Sequence, residues 1–73
     1  MSPMKYAVVI EKSKHGGYWA YVPDLPGCAS RGDTTGEVER NIREAVELHI
    51  ESLRDHREPV PPPTTAVTAV DGA

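Results

Sequence analysis

Four features of this 73-residue chain could do chemistry: a single cysteine, three histidines, an aromatic pair and a surplus of acids. Cys28 has no second cysteine to pair with, and no base falls beside it in sequence to activate it as a nucleophile. Free cysteine is among the most buried residue types, so Cys28 reads as a small core hydrophobe. His15, His49 and His56 share no zinc-type spacing with Cys28. His49 lies in an apolar helical stripe, and His56 follows two helical turns later at nearly the same azimuth. That placement suits buried or interface histidines with one satisfied hydrogen bond. No metal, cofactor or catalytic residue is expected. Trp19 and Tyr21 are two residues apart and share one face of a strand. Such a pair stacks on RNA bases in some proteins and anchors protein interfaces in others. The sheet offers few cations to hold phosphates (Lys5, Lys12, Lys14 and Arg31), which favours a protein contact.

Charge points the same way. Eight basic residues against eleven acidic ones give a formal charge of −3. Surfaces that coat nucleic acid are usually basic, because neutralising phosphates releases counterions. A mildly acidic protein is better matched to a basic partner. The candidate contact set is therefore Glu11, Asp24 and Asp33 for polar contacts, with Trp19 and Tyr21 as buried anchors. No run of residues approaches the ~18 apolar positions of a membrane span. The opening Met1-Ser2-Pro3-Met4-Lys5 lacks the apolar stretch of a signal peptide. A cytoplasmic location is expected, and a lone cysteine fits a reducing compartment.

These residues must be positioned by a small set of elements. Met4 to Glu11 reads as a strand with Tyr6, Val8 and Ile10 on one face. Lys12 to Gly17 interrupts it with charge and two glycines, a hairpin connection. Tyr18 to Val22 is a second strand, antiparallel because the connection is short and apolar on both faces. In Pro23-Asp24-Leu25-Pro26-Gly27, Pro26 presets its own φ and Gly27 supplies the positive φ of a type II turn. Cys28 to Arg31 forms a short third strand, ended by Gly32. Thr34-Thr35-Gly36-Glu37 fits a helix capping box. Beyond it Val38, Ile42, Ala45, Val46, His49 and Leu53 recur on one helical face as far as about Asp55. Leu48 and Ile50 fall outside the centre of that stripe. Glu58 to Pro63 is an extended, stiff connector, and Thr64 to Val70 is expected to return to the sheet as a fourth strand. The result is an α+β fold in the order β-β-β-α-β, one helix on one sheet face. It forms a single domain over residues 4–70, with flexible termini at 1–3 and 71–73. A core this small supplies only about 3–5 kcal/mol, so a homo-oligomer is expected, most simply a two-fold dimer.

The stretch Gly16-Gly17-Tyr18-Trp19-Ala20-Tyr21-Val22-Pro23-Asp24-Leu25-Pro26-Gly27-Cys28, followed by Gly32-Asp33-Thr34, resembles the N-terminal domain of HicB antitoxins. The opening Lys5 to Glu11, the helix around Glu44 to His49 and the proline-rich connector are similar to that family too. The likeness implies a truncated ribonuclease-H-like sheet with one helix. It also implies a role: such domains bind HicA, a small basic ribonuclease toxin, and mask its catalytic histidine. Many members carry a C-terminal DNA-binding domain. With the sequence ending at Ala73, a stand-alone form is expected, with no specific DNA binding by this chain alone. The alternative is an orphan homo-oligomeric regulator or scaffold with no toxin partner. The ribonuclease-H likeness also raises paired carboxylates for two metals, from Glu11, Glu44 or Glu47, and Asp71. Those acids sit at strand ends and on the solvent side of the helix, which is ordinary surface chemistry.

Overall fold

The computed structural model describes residues 5–72. Met1 to Met4 and Ala73 lie outside the described residues, and with them the expected strand start at Met4 and the flexible terminus at 1–3. Three strands precede one helix: β1 (Val9–Lys12), β2 (Tyr18–Tyr21), β3 (Ala29–Gly32) and α1 (Thr35–Asp55). The sheet is antiparallel in the order β1-β2-β3. Its register pairs Val9 with Tyr21 and Glu11 with Trp19, then Trp19 with Arg31 and Tyr21 with Ala29. Within the described residues the ladder begins at Val9, and Lys5 to Val8 stay outside it because β2 has no more to offer. The Val22 N–H is already bonded to the Cys28 carbonyl at 3.1 Å, and Pro23 has no N–H at all.

Period-two alternation then sorts the side chains. Ala20 and Val22 are buried under α1, while Trp19 and Tyr21 point to the opposite face. Tyr6 and Val8 pack against the core as their alternation predicts. The core itself is Ala20, Val22, Leu25, Cys28, Val38 and Ile42. Half of it comes from one strand-to-strand connection. Leu25 N–H bonds Val22 O at 3.1 Å and Cys28 N–H bonds Leu25 O at 3.0 Å, two turns in succession. Gly27 has φ 85°, as the second turn requires.

The helix is fixed at both ends. Thr34 Oγ1 accepts from the Glu37 N–H at 3.1 Å. At the other end Arg57 takes φ 55°, with its N–H on Arg54 O at 3.0 Å and the Glu58 N–H on Leu53 O at 2.8 Å. This is a Schellman closure with arginine where glycine is usual. Val38 and Ile42 are buried, with Ala45, Val46 and Ile50 packed beside them. Ile50 therefore belongs to the inner face after all, whereas Leu48 is 58% exposed. The helix lies over β3 and β2 and leaves β1 largely uncovered.

The expected fourth strand is not formed among the described residues. The connector first passes Tyr6, whose hydroxyl donates to the Pro61 carbonyl. It then reaches the turn after β2, where Thr64 and Thr65 both donate backbone N–H groups to Asp24 Oδ2 at 2.9 Å. Those two donors are thereby committed to a carboxylate and not to a ladder. From Ala66 to Gly72 the chain is exposed and without regular structure.

Candidate functional site on the open face of the sheet

One helix can cover only one face of a three-stranded sheet, so the other stays open. Parity places Val9 and Glu11 of β1, Trp19 and Tyr21 of β2, and Ala29 and Arg31 of β3 on that open face. The Trp19 and Tyr21 rings stack, with centroids 5.1 Å apart and planes inclined by 24°. Trp19 is 38% exposed, and its two cross-strand neighbours are Glu11 and Arg31. A rigid aromatic plate flanked by one acid and one base results. Beside it lies a shallow depression of about 340 Å³ lined by Trp19, Arg31, Asp33, Glu37 and the Gly16-Gly17 hairpin.

Of the residues singled out from sequence, Glu11, Trp19 and Tyr21 share this face, and Asp33 joins them at the depression. Asp24 does not. Both its carboxylate oxygens are engaged within the chain: Oδ2 by the two backbone N–H groups, Oδ1 by the Thr64 and Thr65 hydroxyls at 3.0 and 2.8 Å. The Thr65 backbone N–H and hydroxyl, with those of Thr64, hold its pKa below the usual carboxylate value. Asp24 thus ties the connector to the turn. Sequence reasoning missed Arg31 as a member of the face and Glu37, from the first turn of the helix, as part of the lining of the depression at its end. Arg31 was legible as a cation, but its place opposite Trp19 depends on register, and Glu37 was read only as a capping residue.

The remaining candidates settle into structural positions. Cys28 is 4% exposed, and burial pushes its thiol up, away from the reactive thiolate. His56 closes the helix, its Nδ1 2.8 Å from the Ser52 carbonyl oxygen. His49 is half-buried. Among the described residues no three His, Cys, Asp or Glu side chains come together to hold a metal, so Glu11, Glu44, Glu47 and Asp71 are not gathered into one. Nor, among them, is any helix long and apolar enough to cross a membrane.

Comparison with known proteins gives the chain a family. Residues 6–72 match the model of the HicB-like antitoxin of bacterial toxin–antitoxin systems. The chain belongs to that family. A UPF0150 protein of Synechocystis sp. is 54% identical to the HicB-like chain over 56 residues, covering 77% of this chain and 71% of that protein. One from Thermoplasma acidophilum is 48% identical over 58 residues, 80% of this chain and 84% of its own length. An uncharacterised 14.9 kDa protein of Haemophilus phage HP1 is 45% identical over 58 residues, though these make up only 43% of it. Among solved structures, a chain of a HicA3 and HicB3 toxin–antitoxin complex superposes with a TM-score of 0.70 at 36% identity. The match covers 82% of this chain and 70% of that one.

Proposed function

We propose that this HicB-like protein acts in the cytoplasm by binding and sterically masking a HicA-type mRNA-cleaving toxin, with no cofactor and no catalysis of its own. The observation that carries this reading is the stacked Trp19–Tyr21 plate on a sheet face that no element among the described residues covers. Tyr and Trp are enriched at interfaces because they bury large rigid surfaces with one polar end. Family membership supports the antitoxin role, and the likeness to a chain from a toxin–antitoxin complex supports the partner class. Glu11 beside the plate, with Asp33 and Glu37 at the depression, would meet the cations of a basic ribonuclease, while Asp24 stays occupied inside the fold. The protein also pairs with itself, most simply as a two-fold dimer.

Co-expression with a HicA-type toxin tests this. Cells should survive, and the two proteins should co-purify. Trp19 points away from the core, so Trp19→Ala should keep the circular dichroism spectrum of the parent. It should weaken toxin binding about thirtyfold, the loss of an anchor worth about 2 kcal/mol. Added salt should slow association more than it speeds dissociation. Equal cell death with and without the antitoxin, and failure to co-purify, would show that masking is wrong.

A further inference from the structure

A second surface of the molecule lies apart from the aromatic plate and shares none of its residues. Between β1 and α1 runs an open groove whose walls are Tyr6, Val8 and Ile10 on one side and Ile42, Val46 and Ile50 on the other. It exists because the helix sits over β3 and β2 and overhangs β1 instead of covering it. The outer edge of β1 pairs with no strand among the described residues, so it presents a row of unpaired backbone N–H and C=O groups beside the groove. This is the shape left when one strand is missing from a sheet.

The chain also carries an unplaced strand. Ala66-Val67-Thr68-Ala69-Val70 is β-branched or small throughout and uncharged. Val67 and Val70 are 77% and 86% exposed, far more than any other large hydrophobic among the described residues. Five extended residues span about 17 Å, enough to run the length of a four-residue β1. The segment is poorly placed for its own groove. Its connector passes Tyr6, at the β1 end of the sheet, at Pro61 and has crossed to the turn between β2 and β3 by Thr64. The Asp24 clamp holds it there. An arm rooted past β1 points its apolar residues at water.

We infer that the 66–70 arm of one copy adds as a strand to the free β1 edge of a second copy, beneath the overhanging helix, and that the exchange is reciprocal. A two-fold pair is the arrangement in which both arms and both grooves are satisfied and the assembly closes. Thirteen groove residues and the seven residues from Ala66 to Gly72 give twenty from each copy, the lower end of the about 20–30 a side in a standard interface. The groove rim sets Lys5, Arg43 and Arg54 against Glu39, Glu47, Glu51 and Asp55, a single acid in excess, and residues 66–70 of the arm are uncharged. The inference rests on the dimer proposed above and specifies how it is built; it does not depend on a toxin.

The test uses the full chain and Val67→Asp with Val70→Asp. Both side chains are exposed in the single chain, so the variant should keep the parent's circular dichroism spectrum. Light scattering across a dilution series should find the parent at twice the chain mass. In the variant the dissociation constant should rise about tenfold or more, as a desolvated anchor is replaced by a charge. Hydrogen exchange supplies the second readout: in the parent dimer the amides of residues 66–70 and those of the β1 edge should be protected together. A parent that is monomeric at micromolar concentration overturns both the dimer and the exchange. A dimer that persists in the variant, or one whose 66–70 amides exchange as fast as a free peptide, overturns the exchange and leaves a dimer built on another face.

Discussion

Replacing Gly32 by alanine should destabilise the protein, although Gly32 needs no unusual backbone angle. The reason is proximity. Gly32 ends β3 two residues before the Thr34 cap, and the first turn of α1 lies directly against it. A β-carbon there would stand 2.5 Å from Val38 N, 2.9 Å from Val38 Cα and 3.0 Å from Glu37 C. All three are backbone atoms, so no side-chain rotation relieves the contact. The helix cannot simply retreat either. Val38 N–H is bonded to Thr34 O at 3.0 Å, and the Val38 side chain is fully buried. Restoring ordinary van der Waals distance requires a shift of about 1 Å between sheet and helix, which opens the core on one side. Overpacking of this kind costs about 1–3 kcal/mol, and rigid neighbours put it at the upper end. In a domain of this size each kcal/mol moves the melting temperature by about 4–8 °C. Gly32→Ala should therefore melt at least 8 °C below the parent, followed by circular dichroism at one fixed protein concentration. Gly36→Ala is the internal control. A β-carbon at Gly36 meets only the flexible Arg40 Nη1 at 3.9 Å, and alanine favours the helix by up to about 1 kcal/mol, so this variant should melt higher than the parent. If Gly32→Ala melts within 2 °C of the parent while Gly36→Ala behaves as stated, the close packing of β3 against the helix start is wrong.

Arg57 occupies the left-handed region at the helix C-terminus, where a β-carbon is unfavourable, so Arg57→Gly should raise stability by up to about 1 kcal/mol in urea melts. The lowered pKa of Asp24 fixes the sign of an acid effect. A carboxylate depressed in the folded state contributes stability above its unfolded pKa and loses it as pH falls through the folded one. The Thr64 and Thr65 amides should thus be protected at pH 6 and lose protection below about pH 4, where carboxylates begin to protonate; Asp24→Asn should flatten that profile. Burial of the Cys28 thiol predicts labelling by a thiol reagent about a hundredfold or more slower in the native protein than in urea. Prompt labelling of the native chain would contradict the buried position.

Much of the fold is legible in the sequence because local signals agree. The Thr34 cap, the apolar spacing from Val38 and the Pro26-Gly27 turn each specify their own geometry, and all three are found. Strand ends are not legible in the same way. Nothing in Lys5 to Val8 announces that β2 runs out of donors at Val22, which is a property of the partner. The segment Thr64 to Val70 has strand composition yet forms no strand, because composition describes a preference and pairing needs an edge. Half of the open face follows the same division. Alternation alone puts Trp19 and Tyr21 together, whereas bringing Glu11 and Arg31 to either side of Trp19 requires the register of two hairpins.

Leu25 sits in a connection between strands and is nevertheless wholly buried. Connections ordinarily tolerate inserted residues, because their side chains face water and closure costs little extra entropy. This one should not. Val22, Leu25 and Cys28 recur every third position, so one added residue would rotate the following anchors out of the interior. Mutational scanning by insertion should find the 22–28 segment as intolerant as the helix stripe, while the Lys12–Gly17 hairpin accepts extra residues. Contacts between residues so close in sequence also form early, since little chain must be ordered to make them. The 22–28 connection would then be a seed of the folding, held in place by the interior it nucleates.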